Sequence, residues 1–254
     1  MINKKYIEKL DAARIDNEEL YHILDTHDED ALKELSTASH TIRNMISFIN
    51  SSYQYISETQ PATKGFEYWD DIGDTLSQLI TYTNRTSSYR YSFIKPSFST
   101  VPLNELLQSL PHTLEAAFGE IDYINYNLDQ RQIIFTLDSA ITDVTTDKYQ
   151  LKAALLELLK NALDFTDTST PIQIRSHLMS DGINIAFIYQ STHIENLREH
   201  TLEELSVPFF TTDTNRTGLG LSIVNNICLL LKAGYSINEQ DGIVTSSVTI
   251  PSTV

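Results

Sequence analysis

The sequence predicts an α+β chain, with an antiparallel helical hairpin first and a region of interleaved helices and strands after it. Three observations carry this. From Asp30 to Glu58 the apolar residues Leu35, Ala38, Ile42, Met45, Ile49, Tyr53 and Ile56 step by three and four, close to a heptad seam. A second stretch of that kind, Tyr68 to Phe93 with Ile72, Leu76, Leu79 and Ile80, comes after only the Pro61–Gly65 break. Beyond residue 120, segments of period two such as Ile172–Leu178 and Ile183–Tyr189 alternate with helix patterns.

Bulk properties bound the function. A chain of 254 residues holds one large or two modest domains, and 41% apolar residues suffice for a core. The formal charge of −16 argues against a nucleic-acid partner, which needs clustered Lys and Arg. Cys228 is the one cysteine, so no disulfide forms within the chain and a reducing compartment fits. It sits in an apolar helix and reads as core filler. The first residues have no apolar h-region, and no apolar run reaches membrane-spanning length. A cytoplasmic protein with no membrane insertion is expected.

Along the chain, residues 1–28 read as a charged helical extension, with Ile7, Leu10, Leu20, Ile23 and Leu24 spaced for one face. Residues 29–98 form the hairpin. One hairpin cannot bury so long a seam, so a homodimeric four-helix bundle is expected. His40 falls opposite the seam and projects to solvent, with Asn44 one turn further on the same face. Phe93–Pro102, FIKPSFSTVP, reads as a linker. In the second domain, 99–254, a helix is expected over Leu103–Phe118, interrupted or not by Pro111, then strands at Ile121–Leu128, Ile133–Leu137 and near Val144.

Asp147–Thr166 is a strong helix that buries Leu151, Leu155, Leu158, Leu159 and Ala162 and puts Glu157 and Asn161 one turn apart on another face. Ile172–Leu178 and Ile183–Tyr189 form a hairpin about Ser180-Asp181-Gly182. Gly218 and Gly220 open an amphipathic helix through Leu221, Val224, Ile227, Cys228 and Leu231. Glycines there let the backbone approach a ligand, and the helix start offers N–H groups to an anion. The stretch reads as a phosphate-facing lid and its helix. Tyr235–Ile237 and Val244–Ile250 close the chain as a hairpin turning at Gly242.

PFFTT (208–212) followed four residues later by TGLGLSIV (217–224) resembles the lid and second glycine box of histidine kinases, in the ATPase superfamily shared with gyrase, Hsp90 and MutL. The resemblance implies an α/β sandwich with a mixed sheet and helices on one face. It also implies ATP against Thr217, Gly218, Leu219, Gly220 and Leu221. The 147–166 helix resembles the Asn-bearing helix of that superfamily. There Asn161 would ligate Mg²⁺, Glu157 would position or activate the attacking group, and Phe165 would stack on adenine or simply fill core. STASHTIRNMISFI (36–49) resembles the H box, in which His40 accepts the phosphoryl group. Asn44 there orients a water or the aspartate of a response-regulator receiver domain.

Three departures stand out. Thr41 replaces the acid that usually comes after the histidine. Asp164 stands where a base is common. The acid and two glycines of the first glycine box fall on Tyr189, Ser191 and His193, with no acidic residue between Asp181 and Glu195. Losing one charge-assisted hydrogen bond to adenine costs about 1.5–3 kcal/mol, roughly ten- to a hundred-fold in affinity. Three functions stay open: an ATP-dependent kinase acting on His40, a pseudokinase relaying phosphoryl groups through His40 without ATP, and a nucleotide-gated binding protein.

Overall fold

A computed structural model describes residues 18–117, 126–192, 194–211 and 216–251. Most of the 1–28 extension, the greater part of the 121–128 segment and His193 lie outside the described residues. Contacts divide the chain into two compact units between Thr83 and Asn84.

In the first unit α1, Glu18–Thr59, runs without a break across position 28. A 3₁₀ turn, Pro61–Gly65, starts with proline at a position where its missing N–H costs nothing. It leads into α2, Trp69–Tyr91. At this closed end Tyr53 stacks on Trp69 with centroids 4.7 Å apart, and the Trp69 indole N–H donates to Ser57 Oγ at 3.0 Å. Gly73 admits Tyr53, because a Cβ there would stand 2.6 Å from the Tyr53 hydroxyl.

The inward face of α1 differs from the expected stripe. Arg43, Ile46, Asn50, Tyr53 and Ser57 turn inward, with Ile46 8% exposed. Ile42, Met45, Ile49 and Ile56 stay exposed, as does Phe48 at 75%. Of the expected stripe, Tyr53 turns inward, and Ile42, Met45, Ile49 and Ile56 are uncovered within one chain. Polar residues interrupt the true inner face and hide it from an apolar count.

The second unit begins inside α2. The division falls at 83/84 rather than the expected 98/99 because the end of α2 bonds to residues of the second unit. Tyr89 packs against the core, and Asn226 Nδ2 donates to Ser92 Oγ at 3.1 Å. Part of the expected linker is β1, Ser99–Pro102, antiparallel to β3, Asp143–Thr146. The pairing buries Val101 and Val144, and no local periodicity announces it. α3, Leu103–Ala116, continues through Pro111, burying Leu103, Leu107, Leu110 and Leu114. Within the expected 121–128 strand, Tyr126 and Asn127 lie outside regular structure and Leu128 opens a 3₁₀ turn, entered through left-handed Asn127.

β2 (Ile133–Leu137), β4 (Ile172–Leu178), β5 (Gly182–Gln190), β6 (Gly234–Gln240) and β7 (Ile243–Pro251) form one sheet in the order β2-β4-β5-β7-β6. The β2–β4 pair is parallel and the rest antiparallel, so the sheet is mixed. Gly182 lies in β5 rather than in the turn, paired with Pro251, and only glycine fits there because a Cβ would meet the Ile250 carbonyl oxygen. Asp241 and Gly242, both at positive φ, close the last hairpin in two residues.

The sheet buries Ile172, Ile174, Ile185, Phe187, Val244 and Val248 in one core with α3, α4 (Lys148–Phe165) and α7 (Gly220–Leu230). Two short helices, α5 (Glu195–Glu199) and α6 (Leu202–Leu205), lead towards the lid. This is the expected helical hairpin followed by an α/β layer. Among the described residues no helix is long and apolar enough to cross a membrane.

Candidate functional site

Helix α4 is the spine of the site. Asp147 caps it, accepting from Tyr149 N at 2.9 Å and Gln150 N at 3.0 Å, and also from Ser97 N at 2.7 Å. Leu151, Leu155, Leu158, Leu159 and Ala162 fix its rotation by facing the core. Glu157, Lys160, Asn161, Asp164 and Phe165 then recur every three or four residues along one side.

Glu157 is buried, and burial on its own would raise its carboxyl. The Arg85 guanidinium and the Lys160 ammonium more than reverse this and hold it below the usual carboxylate range. Arg85 grips it with both prongs, Nη1 on Oε1 and Nη2 on Oε2 at 2.5 Å. Lys160 Nζ lies 3.7 Å from Oε1. Arg85 comes from the part of α2 that belongs to this unit. Local sequence gives no sign of the pairing, since 72 residues separate the partners. Lys160 was passed over in the sequence, although its place three residues from Glu157 in a helix is a signal that could have found it.

The glycines meet this cluster. A Cβ on Gly220 would stand 3.1 Å from Glu157 Oε2, 3.4 Å from Arg85 Nη2 and 3.8 Å from Asn161 Oδ1. Gly218, at φ +64°, carries Phe209 and Phe210 against its backbone, where a Cβ would come within 2.5 Å of the Phe210 carbonyl oxygen. The Phe209 N–H donates to the Gly218 carbonyl at 3.0 Å. The PFF segment is thus stitched to the start of α7, and only glycine at 218 permits it. Leu219 is fully buried and belongs to the core, so only its backbone can face a ligand, while Thr217 and Leu221 are half-buried.

Beyond Asn161 the character changes. Arg216, which sequence reasoning passed over, lies 4.4 Å above the Phe165 ring and 3.1 Å from Asp164 Oδ2. Tyr189, at the position of the expected acid, is 5% exposed. Burial pushes its hydroxyl up to about 12 against the opposing bond with Ser246. It stays neutral and cannot stand in for a carboxylate. Ser191 N donates to the Gly242 carbonyl at 2.9 Å. Cys228 is buried, its thiol pushed up to about 12, and it is inert core filler as expected.

The donor set bears on what can bind. The glycine cradle, the start of α7 and the cations suit nucleotide phosphates. For Mg²⁺ the cradle offers the Asn161 amide oxygen, whereas the Glu157 carboxylate is engaged with Arg85. No group of three or more His, Cys, Asp or Glu is placed to hold a metal among the described residues. In the first unit His40 and Asn44 are both exposed, and the Thr41 hydroxyl donates to the Thr37 carbonyl at 3.0 Å.

Residues 146–253 match the family described as histidine kinase-, DNA gyrase B- and HSP90-like ATPase. The sensor histidine kinase ZraS of Escherichia coli K12 is 25% identical over 204 residues, 80% of this chain and 42% of that protein. Hybrid signal transduction histidine kinase B of Dictyostelium discoideum is 26% identical over 85% of this chain and 11% of its own length. The chain thus spans less than half the length of these relatives. Full-length ShkA, crystallised with AMPPNP, superposes at a TM-score of 0.67 and 16% identity, over 86% of this chain and 45% of that one, a likeness of fold. The nucleotide-free catalytic domain of histidine kinase ThkA superposes at 0.51 and 26% identity, over 61% of this chain and 95% of that one.

Proposed function

The chain belongs to the two-component histidine kinase family, with its ATPase domain over residues 146–253, and from that premise we propose that it phosphorylates itself on His40 with ATP and passes the group to a receiver-domain aspartate. The observation that carries the proposal is the convergence of Gly220, Asn161 and Glu157 from two helices into one cradle. A glycine between charged side chains at a helix start is what a phosphate group needs in order to approach.

Each residue then has a task. Gly218 and Gly220 let the backbone reach the phosphates. Asn161 would offer an oxygen to Mg²⁺. The ion, when bound, neutralises phosphate charge. Glu157 is held by Arg85, so it serves in positioning and not as a free base. His40, exposed on α1, takes the phosphoryl group on a ring nitrogen, and Asn44 orients the aspartate or a water. Catalysis of this kind is mostly positioning and charge stabilisation. The exposed apolar stripe Ile42, Met45, Ile49 and Ile56 is the homodimer face, and the receiver domain docks beside His40. We place the reaction in the cytoplasm.

The test is incubation with γ-labelled ATP and Mg²⁺ beside His40→Ala. Acid-labile label on the wild type alone is expected. A second reading, relay without ATP, is favoured by the buried Tyr189 and by Thr41, whose hydroxyl is turned back on its own helix. A folded dimer that takes no label from ATP but accepts it from a phosphorylated receiver domain would establish that reading instead.

A further inference from the structure

We infer that the surface at the start of α4 docks a second copy of this chain, and that its occupant is the closed end of that copy's helical hairpin.

The docking surface lies in the second unit, where the chain leaving α2 runs against the first turn of α4. Ser97 N donates to Asp147 at 2.7 Å, and Gln150 Nε2 donates to the Ile94 carbonyl. Tyr91 is within electrostatic reach of Asp147 and Tyr149. Outward from this junction stand Tyr91, Ile94, Phe98 and Tyr149, the last 72% exposed. Arg90, Lys95, Lys148 and Lys152 come between them, with Lys148 and Lys152 one turn apart on α4. No Asp or Glu occurs from residue 75 to residue 104, nor between Asp147 and Glu157. Asp147 itself is buried and turned onto backbone N–H groups. In a chain of net charge −16 this surface is cationic.

The occupant is its opposite in charge. The closed end of the hairpin exposes Glu58, Glu67, Asp70, Asp71 and Asp74 against one lysine, Lys64. Phe66, Tyr68 and Ile72 are exposed among them. The helix dipole accounts for Asp70 and Asp71 in the first turn of α2, but it disfavours Glu58 in the last turn of α1. Among the described residues, none of these five carboxylates and none of Lys95, Lys148 and Lys152 makes an ion pair. Each surface offers apolar area ringed by one sign of charge, and the two signs are complementary. Apolar contact supplies affinity, while the charges fix register and keep like surfaces apart.

Helix α2 carries Asp70, Asp71 and Asp74 at its start and Arg90 and Tyr91 at its end, about 30 Å apart on one unbroken rod, so the occupant comes from another copy. The contact is heterologous and repeats from copy to copy, whereas the α1 stripe proposed as the homodimer face pairs with itself.

The experiment is sedimentation velocity of the full chain across a wide concentration range, in about 50 mM and about 500 mM NaCl. At low salt the wild type is expected to associate beyond its smallest particle as concentration rises, and high salt is expected to weaken this at least about tenfold. K148E/K152E and D70K/D71K each reverse one surface and leave the other intact, and circular dichroism verifies their fold. Each alone is expected to associate at least about tenfold more weakly than the wild type at low salt. A mixture of the two is expected to recover association, because the acidic end of the first meets the cationic surface of the second. A wild type of constant mass at every concentration in low salt overturns the inference, as does association that high salt leaves undiminished. Variants that associate like the wild type, or a mixture as weak as its parts, overturn it as well. The salt comparison on the wild type stands even where a variant does not fold.

Discussion

The two ends of helix α4's ligand side are built on different principles. Towards Glu157 and Asn161, buried charges and a bare glycine meet in a cluster drawn from three separate segments. Towards Phe165 the surface is aromatic, with Tyr189 buried and neutral and Arg216 lying over the ring. In the proposed site the first end meets phosphates and the second meets the base. The difference teaches that the two halves answer to different constraints. Phosphate handling needs charge and backbone approach at fixed points, and both are kept. Base recognition needs a directional acceptor, and here a phenol stands in its place.

The sharpest way to break this comparison is at the charged end. Glu157→Ala leaves Arg85 and Lys160 buried without their carboxylate, and should cost about 3–5 kcal/mol. For a unit of this size that lowers the melting temperature by about 10 °C. A shift under about 3 °C in a melting scan would show that water reaches the pair. The same pair sets an acid limit. The folded state holds the Glu157 carboxyl below its usual range, so its stabilisation is complete above the ordinary carboxylate range and is lost as pH falls through the lower folded value. Melting scans from about pH 6 down to about pH 3 should show a steeper decline for the wild type than for E157Q.

Next in size is the glycine whose backbone carries the lid. Gly218→Ala forces a side chain into positive φ and against the Phe210 carbonyl, a strain of about 1–3 kcal/mol. AMPPNP affinity should fall about tenfold with α4 and the sheet unaltered by circular dichroism. Unchanged affinity would detach the lid from nucleotide binding.

The aromatic end should yield smaller effects. With the Asp164 carboxylate beside Tyr189 engaged by Arg216, competition between ATP and GTP should discriminate by less than about tenfold, because rejection of the wrong base relies on a buried polar partner left unpaired. A strong preference for ATP would locate an acceptor elsewhere and erase the contrast between the two ends. Smallest of all, Arg216→Ala removes one partly exposed ion pair and one cation–π contact, together about 1 kcal/mol, and should change affinity about fivefold.

The fold was legible wherever a segment's own pattern decided its structure. α4, β2, β4, β5, the start of α7 and β7 all stand within a residue or two of the expected bounds, because period and turn chemistry are local properties, while β6 runs three residues past its expected end at Ile237. β1 escaped notice because its partner, β3, supplies the reason for it to be a strand. The inner face of α1 was misplaced because Arg43, Asn50 and Ser57 sit on it. At the site, the two glycines could be read from backbone freedom, and Glu157 and Asn161 from the resemblance of their helix to the Asn-bearing helix of the superfamily. Arg85 and Arg216 could not, since a guanidinium finds its carboxylate or ring only once distant segments have packed.

Asp147 has a mechanical consequence. One carboxylate fastens the chain arriving from α2, through Ser97, to the first turn of α4. A helix is stiff along its axis, and Asn161 lies about 21 Å further down the same rod. Any tug or twist on the strand of chain at Ser97 is therefore delivered to the far tip of that rod, with Asp147 as the hitch.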